Sequence, residues 1–151
     1  MQDQNYTITF LVKQSPGEVY QAVNNVRGWW SEALEGDSEK LNDEFSYRHG
    51  DIHYSKHRLT EVIPDKKIVW LTLDSQLTFA NPQNEWNGTH VIFDISNQGE
   101  QTQLTITHQG LVPAFECFES CTKGWNYYLQ NSLLPLITTG KGNPDKAEKN
   151  K

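Results

Sequence analysis

The sequence lacks the features that mark most specialised classes of protein. Only two of its 151 residues are cysteine and only one is methionine. Two cysteines do not make a disulfide framework. Nowhere do apolar residues continue for the ~20 positions that a membrane-crossing helix needs. Residues 1–10 (MQDQNYTITF) have neither the basic start nor the apolar stretch of an export signal. The expected setting is the cytoplasm, with reduced thiols. Basic residues are outnumbered, 13 Lys and Arg against 19 Asp and Glu, for a formal net charge of −6. That balance argues against nucleic acid or an anionic membrane surface as the main partner. There is no phosphate-binding loop, dinucleotide fingerprint, Ser-His-Asp spacing motif or internal repeat. No cofactor and no metal site are expected.

What the chain does have is aromatic bulk: five Trp, six Tyr and six Phe. A chain of this length buries roughly two-thirds of its unfolded surface, so a core without metal or disulfide help is feasible. Residues 1–140 read as one domain. After Gly140 the chain (KGNPDKAEKNK) is polar and without aromatics, which predicts a disordered tail over 141–151.

Period-two alternation predicts most of the domain as strands. Tyr6 to Val12 sets Ile8, Phe10 and Val12 against Thr7 and Thr9. Glu44 to His49 and Ile52 to Val62 follow later, joined at Gly50-Asp51. Ile68 to Leu73 is apolar on both faces, so the pattern permits either Trp70 or Val69, Leu71 and Leu73 to face inward. Thr89 to Ser96 and Thr102 to His108 alternate cleanly around an Asn97-Gln98-Gly99-Glu100 turn. Between the first two strands, Ser15-Pro16-Gly17-Glu18 has the form of a capping box with Pro at the first helical position. A short amphipathic helix through Val19, Tyr20, Val23 and Val26 is predicted there. Trp29-Trp30 follow, one ring expected on the core and the other at a cavity mouth. Ser31 to Asp43 reads as loop. Asp74 to Asn87 reads as a long connection in which Leu77 and Phe79 form a short strand.

The longest helical pattern comes last, over 113–140. Pro113 suits its start, and Glu116 and Glu119 suit the N-terminal dipole. Phe118, Cys121, Trp125, Tyr128, Leu129, Leu133, Leu136 and Ile137 form its dry stripe, with Glu119, Lys123, Asn126 and Gln130 on the wet side. Gly124 is expected to permit close approach to a strand, and Pro135 to kink the last turn.

In this order the motifs resemble a known family. Tyr6 to Val12 followed by Ser15-Pro16-Gly17-Glu18-Val19-Tyr20, then Trp29-Trp30-Ser31, carry the likeness. So do Thr60-Glu61-Val62-Ile63-Pro64 with Ile68-Val69-Trp70, Thr105 to Leu111 (TITHQGL), and Gly124-Trp125. The chain resembles the START-like (SRPBCC, helix-grip, birch-pollen-allergen-like) superfamily over residues 5–140. Within it, the chain is most similar to the Aha-type group, named after the activator of the heat-shock protein 90 ATPase. The resemblance implies an α+β fold: an antiparallel sheet of six or seven strands curved around the C-terminal helix, with an apolar cavity between them. The superfamily holds lipid carriers, cyclases and co-chaperone domains, so the fold alone does not give the activity.

The inner face so defined gathers Trp30, Phe45, Tyr47, Trp70, Phe79, Phe93, Leu104, Ile106, His108, Phe118, Trp125 and Leu129 as candidate ligand-binding residues. The same side chains would serve equally as the walls of a cavity or as a filled core. His108 is the one catalytic candidate. It is either a polar anchor or acid/base near neutral pH, or a structural histidine bonded to backbone before the last helix. His53 and His57 share a strand face, expected to be solvated or at an edge; with His49 from the neighbouring strand they offer a weaker metal reading. Cys117 and Cys121, four apart, read as buried small hydrophobes rather than a redox pair. The expected function is binding of a small apolar molecule, lipid-like or aromatic, between helix and sheet. The alternative is a co-chaperone-like module whose partner is a chaperone or another protein, and the third reading is a cyclase or hydrolase using His108.

Overall fold

The computed structural model describes residues 6–31, 34–49, 53–77, 86–110 and 118–144; at 48, 49, 53, 76, 77 and 118–120 it describes backbone alone. Seven strands form one antiparallel sheet: β1 (Tyr6–Val12), β2 (Glu35–Gly36), β3 (Glu44–His49), β4 (His53–Ile63), β5 (Lys67–Leu77), β6 (His90–Gln98) and β7 (Gln101–Gln109). Their spatial order is β1-β7-β6-β5-β4-β3-β2. The first strand thus pairs with the last, while the others form a meander. Helices α1 (Pro16–Asn24) and α2 (Val26–Trp29) follow β1, and α3 (Phe118–Tyr128) begins the C-terminal helix.

Alternation decides which residues face inward on most strands. Ile8 pairs with Ile106 and Phe10 with Leu104 across β1 and β7. Phe93 pairs with Ile106 and Ile95 with Leu104 across β6 and β7. The expected capping box is present, with Glu18 N–H donating to Ser15 Oγ at 3.2 Å and Ser15 N–H to Glu18 Oε1 at 2.8 Å. Two reciprocal bonds thereby satisfy otherwise unpaired N–H groups at the start of α1.

Alternation alone does not describe β4 and β5. Register shifts fall between Lys56 and His57 and between Leu59 and Glu61. At the first, Leu73 is the extra residue on β5, since His57 pairs with Thr72 and Lys56 with Asp74. A bulge reverses the parity of everything beyond it. Ile68, Trp70 and Thr72 are therefore buried before it and Ser75 after it. This settles the face of the ambiguous strand: Trp70 lies inside, while Leu71 and Leu73 are only partly buried. The stretch expected as loop over 31–43 holds the short strand β2, and β5 continues to Leu77 through residues expected to form a connection. Phe79 lies outside the described residues.

The C-terminal helix is continuous but not uniform. After α3 comes a π-helical turn over Leu129–Leu133, then α4 (Leu134–Thr139). Pro135 explains the change. It has no N–H for the Asn131 carbonyl four residues earlier. The wider turn gives Leu134 N–H the Leu129 carbonyl instead. Asn131 O is taken by Asn143 Nδ2 at 2.6 Å, and Asn143 N–H donates to Ser132 Oγ at 2.7 Å. Residues 141–144, read from sequence as the start of a tail, are therefore bonded to the helix. Residues 145–151 lie outside the described residues, as do Pro113, Glu116 and Cys117.

The dry stripe is buried at Cys121, Trp125, Leu129, Leu133 and Ile137. Two expectations for this helix need correction. Asn126 is not simply wet: it accepts a hydrogen bond from the Tyr6 hydroxyl at 2.8 Å. Gly124 approaches no strand, since a Cβ built there meets nothing within 4 Å. Gly124→Ala should therefore raise stability by up to about 1 kcal/mol through helix propensity. A lower urea midpoint for that variant would show that residue 124 needs its space.

Tyr6 has a consequence of its own. Burial pushes its hydroxyl from 10.0 up to about 12. The folded protein thus holds this proton to higher pH than the unfolded chain. The associated stability is complete below pH 10, declines above it and is lost as pH rises through about 12. Denaturation midpoints measured across this alkaline range should fall more steeply for the wild type than for Tyr6→Phe.

Candidate ligand-binding site

The inner face of the sheet and the dry face of α3 meet in a continuous run of rings. Trp29 and Trp30, at the end of α2, are both buried, so neither ring stands at an open mouth as expected. Trp30 stacks on Trp70 from β5 at 5.8 Å between centroids and 3° between planes, and on Tyr47 from β3 at 4.5 Å and 24°. Phe45 meets Trp70 edge-on at 4.9 Å, and Phe93 lies 4.9 Å from it on the other side. From the helix, Trp125 approaches Trp30 at 5.5 Å. Trp86, just before β6, stacks on Trp125 at 5.9 Å and 6°. Leu104, Ile106 and Leu129 belong to the same buried cluster. Of the residues singled out in the sequence, nine are thus buried together. Phe79 lies outside the described residues, as does the side chain of Phe118.

His108 lies where its parity with Leu104 and Ile106 places it, fully buried. Trp125 Nε1–H donates to its Nδ1 at 3.0 Å. Its Nε2 lies 2.8 Å from Thr89 Oγ1, and that hydroxyl donates its own proton to the Trp86 carbonyl at 2.7 Å. Thr89 can then only accept from His108. The proton of the imidazole sits on Nε2, and a second one on Nδ1 would face the Trp125 N–H. The ring is a neutral node joining β7, α3 and the segment just before β6. Both ring nitrogens face side chains. The Trp86 N–H in turn donates to Cys121 Sγ at 3.3 Å.

His57, expected on a solvated or edge face, is instead fully buried, and β4 lies inside the sheet between β3 and β5. Its ring sits 5.2 Å from Phe45, 5.4 Å from Trp70 and 5.7 Å from Trp30. Nε2 lies 3.0 Å from Ser55 Oγ and Nδ1 3.1 Å from Thr72 Oγ1. Parity with Leu59, two residues on, was the available signal. Ser75, past the bulge, donates to Asn87 Oδ1 at 2.8 Å. Tyr47 and Tyr128 hydroxyls lie 3.1 Å apart between sheet and helix. The inner face is therefore apolar over β6, carries the His108 imidazole at the end of β7, and carries hydroxyls and a second imidazole over β4 and β5. No group of three His, Cys, Asp or Glu capable of holding a metal ion occurs among the described residues. The side chains of His49 and His53 lie outside them.

One polar atom in this interior lacks a partner. The Trp30 side chain is buried, at 2% exposure, and its Nε1–H makes no hydrogen bond. An orphaned donor of this kind costs about 1–3 kcal/mol.

An antiparallel sheet packed on a C-terminal helix, with two short helices after the first strand, defines a START-like, helix-grip domain. Residues 13–136 match the family described as Activator of Hsp90 ATPase homolog 1-like protein, and the chain belongs to that family. Among solved structures it is similar to the Aha1 dimer from Colwellia psychrerythraea, with 22% identity and a TM-score of 0.73 over 92% of this chain and 99% of that one. DynU16, from the dynemicin biosynthetic locus, shares 18% identity with a TM-score of 0.68, over 97% of this chain and 52% of that one. CalU16 from Micromonospora echinospora shares 14% with a TM-score of 0.65, over 91% and 77%. Identities this low carry the fold alone. No curated protein sequence matches the chain. Family membership supports a ligand-binding or co-chaperone-like domain in general terms. No helix among the described residues is long and apolar enough to cross a membrane.

Proposed function

We propose that the protein binds a small, mainly apolar molecule, lipid-like or aromatic, between the C-terminal helix and the inner face of the sheet. The observation that carries this reading is the unpartnered indole N–H of Trp30 within a wall of aromatic rings. Aromatic surfaces favour flat or hydrocarbon bodies, and a few placed polar groups fix their orientation. The Trp30 N–H calls for an acceptor oxygen, so the favoured ligand carries a carbonyl, carboxylate or hydroxyl on an apolar frame. Thermal-shift and NMR titrations with paired compounds, each oxygen-bearing molecule beside its deoxygenated analogue, test this. Oxygen-bearing members should bind preferentially, and Trp30→Phe should remove the preference while keeping the ring. A panel that raises no melting temperature and moves no Trp indole resonance would overturn the reading.

A second reading, a co-chaperone-like module, is favoured by the family match. Stimulation of a heat-shock protein 90 ATPase by the intact chain would support it, and an unchanged rate would remove it. The enzymatic reading gains no support at His108, where both ring nitrogens are already held by Trp125 and Thr89.

A further inference from the structure

The space between the C-terminal helix and the sheet is filled by the Trp30 ring itself. On the sheet side the ring stacks on Tyr47 and Trp70. On the helix side it meets Trp125 at 5.5 Å and Tyr128 at 6.3 Å. Its Nε1–H, the group that the proposed ligand would meet, is sealed from solvent and bonded to nothing. A ligand reaches that atom only after Trp30 has moved, and Trp30 is carried at the C-terminal end of α2.

α2 is a poor anchor by itself. Four residues are too few for a helix to persist on its own backbone bonds, and Asn25 at its start provides no side-chain cap. What fixes it comes from other parts of the chain. The Trp29 indole N–H donates to the Val23 carbonyl of α1 at 3.1 Å. The Trp29 carbonyl accepts from Ser132 Oγ at 2.6 Å, and that hydroxyl accepts in turn from the Asn143 N–H at 2.7 Å. A hydroxyl that accepts and donates at once strengthens both bonds. Ser132 is fully buried on the π-helical turn. Residue 142 fits beside it only as glycine, since a Cβ there would collide with the Gly28 carbonyl oxygen of α2. Residues 142 and 143 thus tether α2 through Ser132. The Trp30 indole acts in the opposite sense. Its orphaned N–H penalises the closed position, because withdrawal would give that donor water or a ligand oxygen.

We propose that Trp29 and Trp30 form a movable cover over the aromatic interior, held shut by residues 142–143 acting through Ser132. The proposal rests on the binding reading above and adds how that site opens. A ligand that satisfies the Trp30 N–H favours the open form, and a loosened tether favours the ligand. The experiment is hydrogen exchange of the tryptophan indoles, followed by NMR in the isotope-labelled full chain without ligand. Its outcome is therefore independent of whether any compound binds. The Trp30 N–H has no hydrogen bond to break, so its exchange reports opening of the cover alone. Trp86 and Trp125, bonded to Cys121 and His108, are the references away from α2. Ser132→Ala should speed exchange at Trp29 and Trp30 about 3- to 10-fold, the factor for one net hydrogen bond, with Trp86 and Trp125 unchanged. Gly142→Ala, which displaces the tether sterically, should act on the same two indoles. Trp30 exchange unaltered in both variants would overturn the proposal. So would equal acceleration at all four indoles, which would make the tether a general stabiliser with no control over the cover.

Discussion

Trp70→Ala is expected to lower unfolding free energy by about 3–5 kcal/mol, the range for emptying a large aromatic site in a packed interior. Trp70 is central to the ring cluster. Trp29 and Trp30 stack on it within 6.2 Å and 5.8 Å, and Phe45 and Phe93 each lie 4.9 Å away. These neighbours come from α2, β3 and β6, and none can close the gap without leaving its own contacts. The loss therefore combines transfer energy with the cavity left behind. Trp70→Phe retains part of the stacking and should cost clearly less. Urea denaturation of both variants gives the comparison. A Trp70→Ala loss below about 1 kcal/mol would mean that the interior collapses freely around the site.

The second large effect is expected at His108. His108→Leu keeps approximate bulk but leaves the Trp125 N–H without its acceptor and Thr89 Oγ1 without its donor. The stranded indole N–H costs about 1–3 kcal/mol and the bond lost at Thr89, which keeps its own bond to the Trp86 carbonyl, about 0.5–1.5, so a total of roughly 1.5–4.5 kcal/mol is expected. Coupling distinguishes this from a packing defect. Trp125→Phe removes the donor that His108→Leu strands, so the double variant should be less destabilised than the two single losses added together. Strict additivity, or a His108→Leu loss within about 0.5 kcal/mol of zero, would show that the histidine joins nothing.

The sequence made some of this architecture legible and hid the rest for physical reasons. β1, β6 and β7 were readable because each has a wet and a dry side, and the capping box announced α1 through two side chains three residues apart. The face of β5 was not readable, because Ile68 to Leu73 offers apolar residues on both sides and the bulge at Leu73 leaves no compositional trace. The same irregular pairing accompanies the placement of His57, whose polarity suggested solvent although its parity with Leu59 indicated the interior. Most of the proposed ring wall could be named beforehand, because large aromatics at inward positions have few other places to go. The polar group at its centre could not: whether an indole N–H finds an acceptor depends on three-dimensional neighbours. Pro135 flagged a fault in the last helix, but the remedy came from Asn143, in a segment whose composition suggested no contacts at all.

That remedy bears on where the chain can be cut. A boundary drawn after Gly140, as composition invites, would remove the side chain that caps the Asn131 carbonyl. It would also free Ser132, whose hydroxyl bonds the Trp29 carbonyl at 2.6 Å, from its bond with Asn143. Residue 142 lies so close to α2 that a Cβ there would sit 2.3 Å from the Gly28 carbonyl oxygen. The segment is thus a clasp over the helix that carries the paired tryptophans. Truncations or tags at this end should spare residues up to 144, since an appendage placed earlier would act on the aromatic interior from outside.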